Sequence, residues 1–163
     1  IKPIGVSVQP KREGYTFEGW SGTDIKEKDT QVTITARPLK DRTYTANWKE
    51  NSYTIVFNVE GEVTRGEMKN IPLRYTQETT IPKNGYVCGG YKFVGWRTGG
   101  KKSEQKVYQP GDKVSKLCAT NNGTVNLYPI WEPCEYTITF DYQTGNKREK
   151  VTCKYKETYT LRP

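Results

Sequence analysis

Hydrophobic residues along this chain alternate with polar ones at the period of a β-strand. In 53–59, Tyr53, Ile55, Phe57 and Val59 share one face, with Thr54, Val56 and Asn58 on the other. In 136–142 the pattern returns as Tyr136, Ile138, Phe140 and Tyr142 against Thr137, Thr139 and Asp141. Successive side chains of a strand point to opposite faces, so each run predicts a half-buried strand. Gln143-Thr144-Gly145-Asn146 then supplies turn chemistry, because Gly and Asn accept positive φ at little cost. The return strand places Val151, Cys153 and Tyr155 inward, and Arg148, Lys150, Thr152, Lys154 and Lys156 outward. The expected element is a hairpin with one apolar and one basic face. No segment has a persuasive helical period, which leaves room for one short helix or turn per unit.

These patterns repeat. Gly14-Tyr15-Thr16-Phe17-Glu18-Gly19-Trp20 returns as Gly90-Tyr91-Lys92-Phe93-Val94-Gly95-Trp96, an offset of 76. Tyr44-Thr45-Ala46-Asn47-Trp48 returns as Tyr128-Pro129-Ile130-Trp131, with the two Trp 83 apart, and Tyr53-Thr54-Ile55-Val56-Phe57 returns as Tyr136-Thr137-Ile138-Thr139-Phe140 at the same spacing. Tyr75 and Tyr155, each just ahead of a Gln-Glu-Thr or Lys-Glu-Thr run, are 80 apart. Matches in the same order at nearly constant offset mark a tandem repeat. A unit opens on Tyr-Thr-Ile-x-Phe, passes through the Gly-Tyr-x-Phe-x-Gly-Trp run and closes on Tyr-x-x-Trp. Residues 52–132 hold one complete unit, 1–51 the later part of a preceding one, and 133–163 the opening hairpin of the next. Gly19 and Gly95 precede a Trp where a side chain would crowd a bulge or a close contact.

Composition explains what holds such units together. Only 33% of the 163 residues are hydrophobic and the mean hydropathy is −0.87, close to the disordered class. Yet there are 12 Tyr, 4 Trp and 4 Phe, and one buried Tyr or Trp removes about 150–250 Å² from water. Small aromatic-cored β modules are therefore expected, with Trp20, Trp48, Trp96 and Trp131 as core anchors. Aromatic stripes also stack on sugars, but periodic placement at equivalent positions favours the core.

The net charge of +8 favours anionic partners such as nucleic acid, acidic polysaccharide or an anionic wall. It also fits a solvated Lys-rich surface that blunts edge-to-edge pairing. The candidate binding surface is the strand face carrying Arg148, Lys150, Lys154 and Lys156, suited to sulfated or phosphorylated polymers. Nucleic acid is disfavoured, since that would need exposed aromatics interleaved with the charges.

Catalytic chemistry is hard to find. There is no His, which excludes Ser-His-Asp and Cys-His systems in these residues. Gly99-Gly100-Lys101-Lys102 has the composition of a phosphate loop without its spacing. No carboxylate pair stands out, Asp112 reads as a turn residue, and Asn122-Gly123-Thr124 reads as a hairpin turn. Cys88, Cys118, Cys134 and Cys153 form no Cys-x-x-Cys pair, so a metal site is not expected and no cofactor is implied. No apolar run approaches membrane-spanning length. No targeting or anchoring motif occurs between Ile1 and Pro163, which read as a window of a longer chain.

The run Gly-Tyr-Thr-Phe-x-Gly-Trp, the closing Tyr-x-x-Trp and the following Tyr-Thr-Ile-x-Phe together resemble the Listeria–Bacteroides repeat, the B-repeat of internalins and other bacterial surface proteins. The resemblance implies tandem small β-grasp-like modules, each a mixed sheet with a short helix or connecting segment, outside the cell at a bacterial surface or in a secreted protein. It implies a stalk or spacer and no enzyme, with an adhesin repeat touching anionic glycans or a host surface as the alternative. Neighbouring repeats are the expected partners. Self-association, an incomplete unit being completed by its neighbour through strand addition, is a further one. The complete unit departs from the family by extra residues near 84–89 and 98–122 and by its cysteines. An even count outside the cell implies two disulfides, with 88–118 and 134–153 favoured over reduced thiols.

Overall fold

The computed structural model describes residues 9–34 and 40–161. Of the expected unit 1–51, residues 1–8 and 35–39 lie outside the described residues. The protein is mostly β. Apart from one 3-10 turn, Lys102–Glu104, regular structure among the described residues is strand. The short helix or connecting segment that the resemblance implies is thus a connecting segment here. By packing, the chain divides into two compact units. The first is Ile1–Ile55, Ile71–Thr79 and Lys113–Val125; the second is Val56–Asn70, Thr80–Asp112 and Asn126–Pro163.

In the first unit, β1 (Tyr15–Gly22) pairs antiparallel with β2 (Tyr44–Glu50), setting Phe17 opposite Trp48 and Trp20 opposite Ala46. The register slips between Phe17 and Gly19, the β-bulge that the glycine before the Trp predicted. Gly19 has φ 126°, and a Cβ there would press on the Asp29 backbone at 2.9 Å. Phe17 meets Trp20 and Trp48 edge-on at 5.4 and 5.5 Å. β3 (Ser52–Phe57) pairs antiparallel with β5 (Ile71–Arg74), so that Tyr53 faces Leu73 and Ile55 faces Ile71. Tyr53, Ile55, Leu73, Tyr75 and Val114 form the buried apolar set of this unit.

The second unit repeats the β1–β2 arrangement with β8 (Tyr91–Thr98) and β11 (Gly123–Pro133). Phe93 faces Trp131, Trp96 faces Pro129, and the register slips at the same place. β9 (Val107–Tyr108) lines the other edge of β8 and pairs Tyr108 with Trp96. In the earlier copy a lone bridge from Trp20 to Asp29 takes that position. The principal sheet has the order β5-β3-β11-β8-β9. Asn122 N–H donates to Ser52 O at one end of β3, and Asn58 N–H donates to Leu127 O at the other. β3 and β11 therefore run in the same direction.

Trp96 is fully buried and meets Phe57, Phe93 and Tyr86 edge-on at 4.8, 5.1 and 6.2 Å. The Tyr86 hydroxyl donates to Phe57 O at 2.9 Å, so its polar end is satisfied where water is excluded. Tyr86 and the buried Cys88 both lie in the extra stretch 84–89, which therefore enlarges the core. Cys88 is in β7 (Val87–Cys88), opposite Val63 of β4 (Val63–Arg65). A further short pair joins β6 (Thr79–Thr80) to β10 (Lys113–Val114).

The last hairpin, β12 (Glu135–Asp141) with β13 (Arg148–Lys154), sets Tyr136 opposite Cys153 and Ile138 opposite Val151. Three details of it and its neighbourhood depart from expectation. Gln143 (φ 53°) and Gly145 (φ 72°) carry the turn instead of Asn146, with Gln143 N–H bonded to Asp141 Oδ1 at 3.0 Å. Lys156 lies beyond the strand at φ 68° and leaves the basic face. Asn122 (φ 56°) does sit in a turn, closed by Gly123 N–H to Thr120 O at 3.1 Å. That turn does not link paired strands, because β10 pairs with β6.

Candidate interaction sites

The clearest built feature occurs twice, where one repeat hands over to the next. In the first copy, Gly14 (φ 76°) lies against Tyr75, and a Cβ there would overlap the ring. Asn51 N–H donates to Gly14 O at 2.9 Å, and Tyr75 N–H donates to Asn51 O at 2.8 Å. In the second copy, Gly90 (φ 78°) lies against Tyr155, with a Cβ position 2.5 Å from the ring carbons. Cys134 N–H donates to Gly90 O at 2.8 Å, and Tyr155 N–H donates to Cys134 O at 2.9 Å. The aromatic after each glycine braces the ring edge-on: Tyr15 to Tyr75 at 6.4 Å and Tyr91 to Tyr155 at 5.4 Å. A matching turn follows each Tyr. Arg74 N–H donates to the Gln77 side chain at 3.2 Å, and Lys154 N–H to that of Glu157 at 2.7 Å.

Side chains secure the two junctions differently. At the first, buried Asn51 donates its amide to Ala119 O (2.7 Å) and accepts from the Thr16 hydroxyl (2.5 Å). The Glu50 carboxylate accepts from the Thr76 hydroxyl and from Thr76 N–H (2.7 Å), and these bonds hold its pKa below the usual carboxylate value. At the second, Lys156 Nζ contacts both Glu62 carboxylate oxygens, at 3.0 and 2.9 Å. The same Nζ lies 5.9 and 5.8 Å from the centres of the Tyr91 and Tyr155 rings. Its bond to Glu62 raises the Lys156 pKa. Exposed pairs of this kind are worth little singly, about 0–1 kcal/mol. The junction rests mainly on backbone bonds and the glycine–ring contact. The repeat pattern exposed Gly14, Gly90, Tyr75 and Tyr155 individually. That each glycine meets the Tyr of the following repeat emerges only from the fold.

The basic strand face is divided. Arg148 pairs with Asp141 at 3.0 Å and Lys156 with Glu62, whereas Lys150 and Lys154 lie exposed on β13, opposite Thr139 and Glu135. All four cysteines are free thiols, in contrast to the expected disulfides. Register accounts for the 134–153 pair. Cys153 faces Tyr136, so Cys134 is a diagonal neighbour on the same side. Diagonal positions are about 7–8 Å apart, whereas a disulfide brings Cβ atoms to about 3.5–4.5 Å. Cys88 is buried in β7 opposite Val63, whereas the Cys118 thiol turns to Thr120 O at 3.9 Å and packs against Gly123. Of the four Trp, Trp96 is fully buried while Trp20, Trp48 and Trp131 are half-buried. Trp131 Nε1–H donates to Glu60 O at 3.0 Å. The described residues contain no cluster of three or more His, Cys, Asp or Glu suited to a metal. They also contain no helix long and apolar enough to cross a membrane.

Known proteins and repeat families resemble this chain in sequence. Residues 53–128 match the Listeria-Bacteroides repeat domain, and residues 6–52 match the divergent InlB B-repeat domain. Internalin H of Listeria monocytogenes is 32% identical over 96 residues, covering 57% of this chain and 16% of its own length. A protein of Evansella cellulosilytica that bears the name membrane protein is 27% identical over 154 residues, 93% of this chain and 21% of its own length. A second from that organism, named a Gly-rich membrane protein, is 24% identical over 148 residues, 91% of this chain and 16% of its own. The chain thus spans about a fifth or less of the relatives it matches. No solved structure matches it significantly. With the repeated bulge, the doubled junction and these matches in place, the chain belongs to the Listeria–Bacteroides and B-repeat family found in bacterial surface proteins.

Proposed function

We propose that these residues form a non-enzymatic stalk outside a bacterial cell, a run of repeats whose joints are held stiff. The carrying observation is the junction built twice from the same parts: Gly14, Asn51 and Tyr75, then Gly90, Cys134 and Tyr155. A flexible string of beads would need no glycine packed against a ring, no interlocked backbone bonds and no braced ring at each hand-over. A spacer that holds another domain away from the envelope does need them, since bending at every joint would shorten its reach. The sequence relatives named as an internalin and as membrane proteins are consistent with that setting.

The adhesive alternative rests on Lys150 and Lys154, exposed on one face of β13. Heparin and teichoic acid at low salt test it. Binding that disappears in K150E/K154E would replace the spacer reading. Amide exchange tests the spacer itself: Asn51, Tyr75, Cys134 and Tyr155 should exchange as slowly as strand amides. Fast exchange at both junctions would leave a flexible tether.

A further inference from the structure

Two basic residues adjoin at three places in the sequence: Lys11-Arg12, Lys101-Lys102 and Lys147-Arg148. In the first pair the Arg12 guanidinium lies 3.9 Å over the Tyr15 ring, and in the last Arg148 opens β13 and pairs with Asp141. Lys101 and Lys102 are both exposed, and no ion pair among the described residues uses them. They lie inside the complete repeat, in the connection from β8 to β9. Residues 99–104 are exposed throughout, and the 3-10 turn Lys102–Glu104 buries nothing. A Cβ placed on Gly100 would meet no atom within 4 Å, so the backbone there is open to approach. Inside the loop, Glu104 N–H donates to Lys101 O at 2.9 Å and Gln105 Nε2–H to Gly100 O at 3.0 Å. The base is closed separately, by Thr98 N–H to Lys106 O at 2.9 Å and Lys106 N–H to Thr98 Oγ1 at 3.0 Å. The loop can therefore stretch out while its base stays shut. Exposed tips built from small and polar residues are where chains are nicked.

The strands on either side of the loop decide what a cut would do. A break after Lys101 or Lys102 leaves β8 in one piece and β9 and β11 in the other. In the sheet β8 lies between β11 and β9, so the strand of the first piece is gripped along both edges by strands of the second. Trp96 faces Pro129 on one side and Tyr108 on the other, and Phe93 faces Trp131. The loop itself buries no side chain of the core, so severing it exposes no new apolar surface. The tip of the last hairpin offers less. There a protease reaching Lys147 must also peel Arg148 from β13 and break its pair with Asp141.

We propose that Lys101 and Lys102 form a processing site for a protease that cleaves after lysine, at which the repeat is nicked without coming apart. One peptide bond is hydrolysed, Lys101–Lys102 or Lys102–Ser103. Water supplies the hydroxyl that joins the lysine carbonyl carbon and the proton taken by the departing amine. A free lysine ammonium suits the acidic specificity pocket of such proteases. Gly99 and Gly100, just ahead of it, let the backbone take up the extended form that a protease cleft needs. The inference stands apart from the stalk reading, because it needs only this loop and the strands that flank it. After the cut, strand pairing alone holds the two pieces together.

Brief digestion of the native 163-residue chain with dilute trypsin, followed by mass spectrometry, tests this. Cutting after Lys101 or Lys102 should outpace cutting after Lys11 or Lys147. The two pieces should elute as one species in gel filtration and part only in denaturant. Melting of the nicked protein should become concentration-dependent, because unfolding now releases two chains. K101Q/K102Q should lose this cut while keeping the wild-type Tm, so that the loss reports the missing lysines and not a changed fold. K147Q should leave the cut unaltered. Faster cutting at Lys11 or Lys147 would overturn the inference. So would an undiminished cut between β8 and β9 in K101Q/K102Q, or pieces that separate as soon as they form.

Discussion

Gly90 lies against the ring of Tyr155 so closely that no other residue fits beneath it. Gly14 and Tyr75 stand in the same relation 76 and 80 residues earlier. Each glycine also has a positive φ, so an L side chain there suffers both a strained backbone and a displaced ring. Gly14→Ala or Gly90→Ala should therefore cost about 1–3 kcal/mol. Gly99→Ala, where the backbone is ordinary and the nearest atom is 3.4 Å away, should be nearly neutral. Thermal melts of the three variants compare them directly; equal Tm values would remove the junction from the account.

Trp96 and Trp48 are both repeat anchors, but only Trp96 is fully buried. Trp96→Ala should cost about 3–5 kcal/mol, the range for a truncated core aromatic. Trp48→Ala should cost visibly less. Urea denaturation gives both numbers, and a reversed order would mean that the first half-repeat is the better packed one.

Free thiols differ in access. Cys88 and Cys153 are buried, while Cys118 and Cys134 are partly exposed. Timed alkylation followed by mass spectrometry should show two fast additions on the native protein and four after unfolding. Failure to reach four without reductant would reveal a disulfide.

The two junctions should respond to opposite ends of the pH scale. Glu50 has its pKa lowered by the Thr76 hydroxyl and amide, so its stabilising effect is present above the unfolded value. That effect is lost as pH falls through the folded value, below the usual 4.5. Lys156 has its pKa raised by Glu62, so its effect is present below the usual 10.5 and is lost as pH rises through the higher folded value. The Thr76 amide proton should report the first event by NMR, with a midpoint under 4.5. A midpoint at or above that value would contradict the Thr76–Glu50 bonds.

Much of this was legible in the sequence because the repeat supplied its own comparison. The period-2 alternation located β3, β12 and β13, and the glycine before each Trp located the bulges. What escaped was pairing between elements. Parity alone placed Cys134 and Cys153 on one side of the hairpin, but the register, which separates them, depends on the turn and on Tyr136 facing Cys153. Lys156 continued the outward alternation on paper. The chain leaves the strand at Lys154, however, and Lys156 meets Glu62, 94 residues earlier. Spacing within a strand predicts faces; it does not predict where strands stop or which distant acid waits nearby.

The doubled junction rests on a glycine, a tyrosine and backbone groups of whatever residue opens the next repeat, Asn51 in one case and Cys134 in the other. Little else is demanded of either neighbour, and the complete repeat accommodates additional residues at 84–89 without disturbing either hand-over. Copies that have diverged widely can therefore be inserted, deleted or exchanged by recombination and still join. Array length can drift under selection while every joint stays sound.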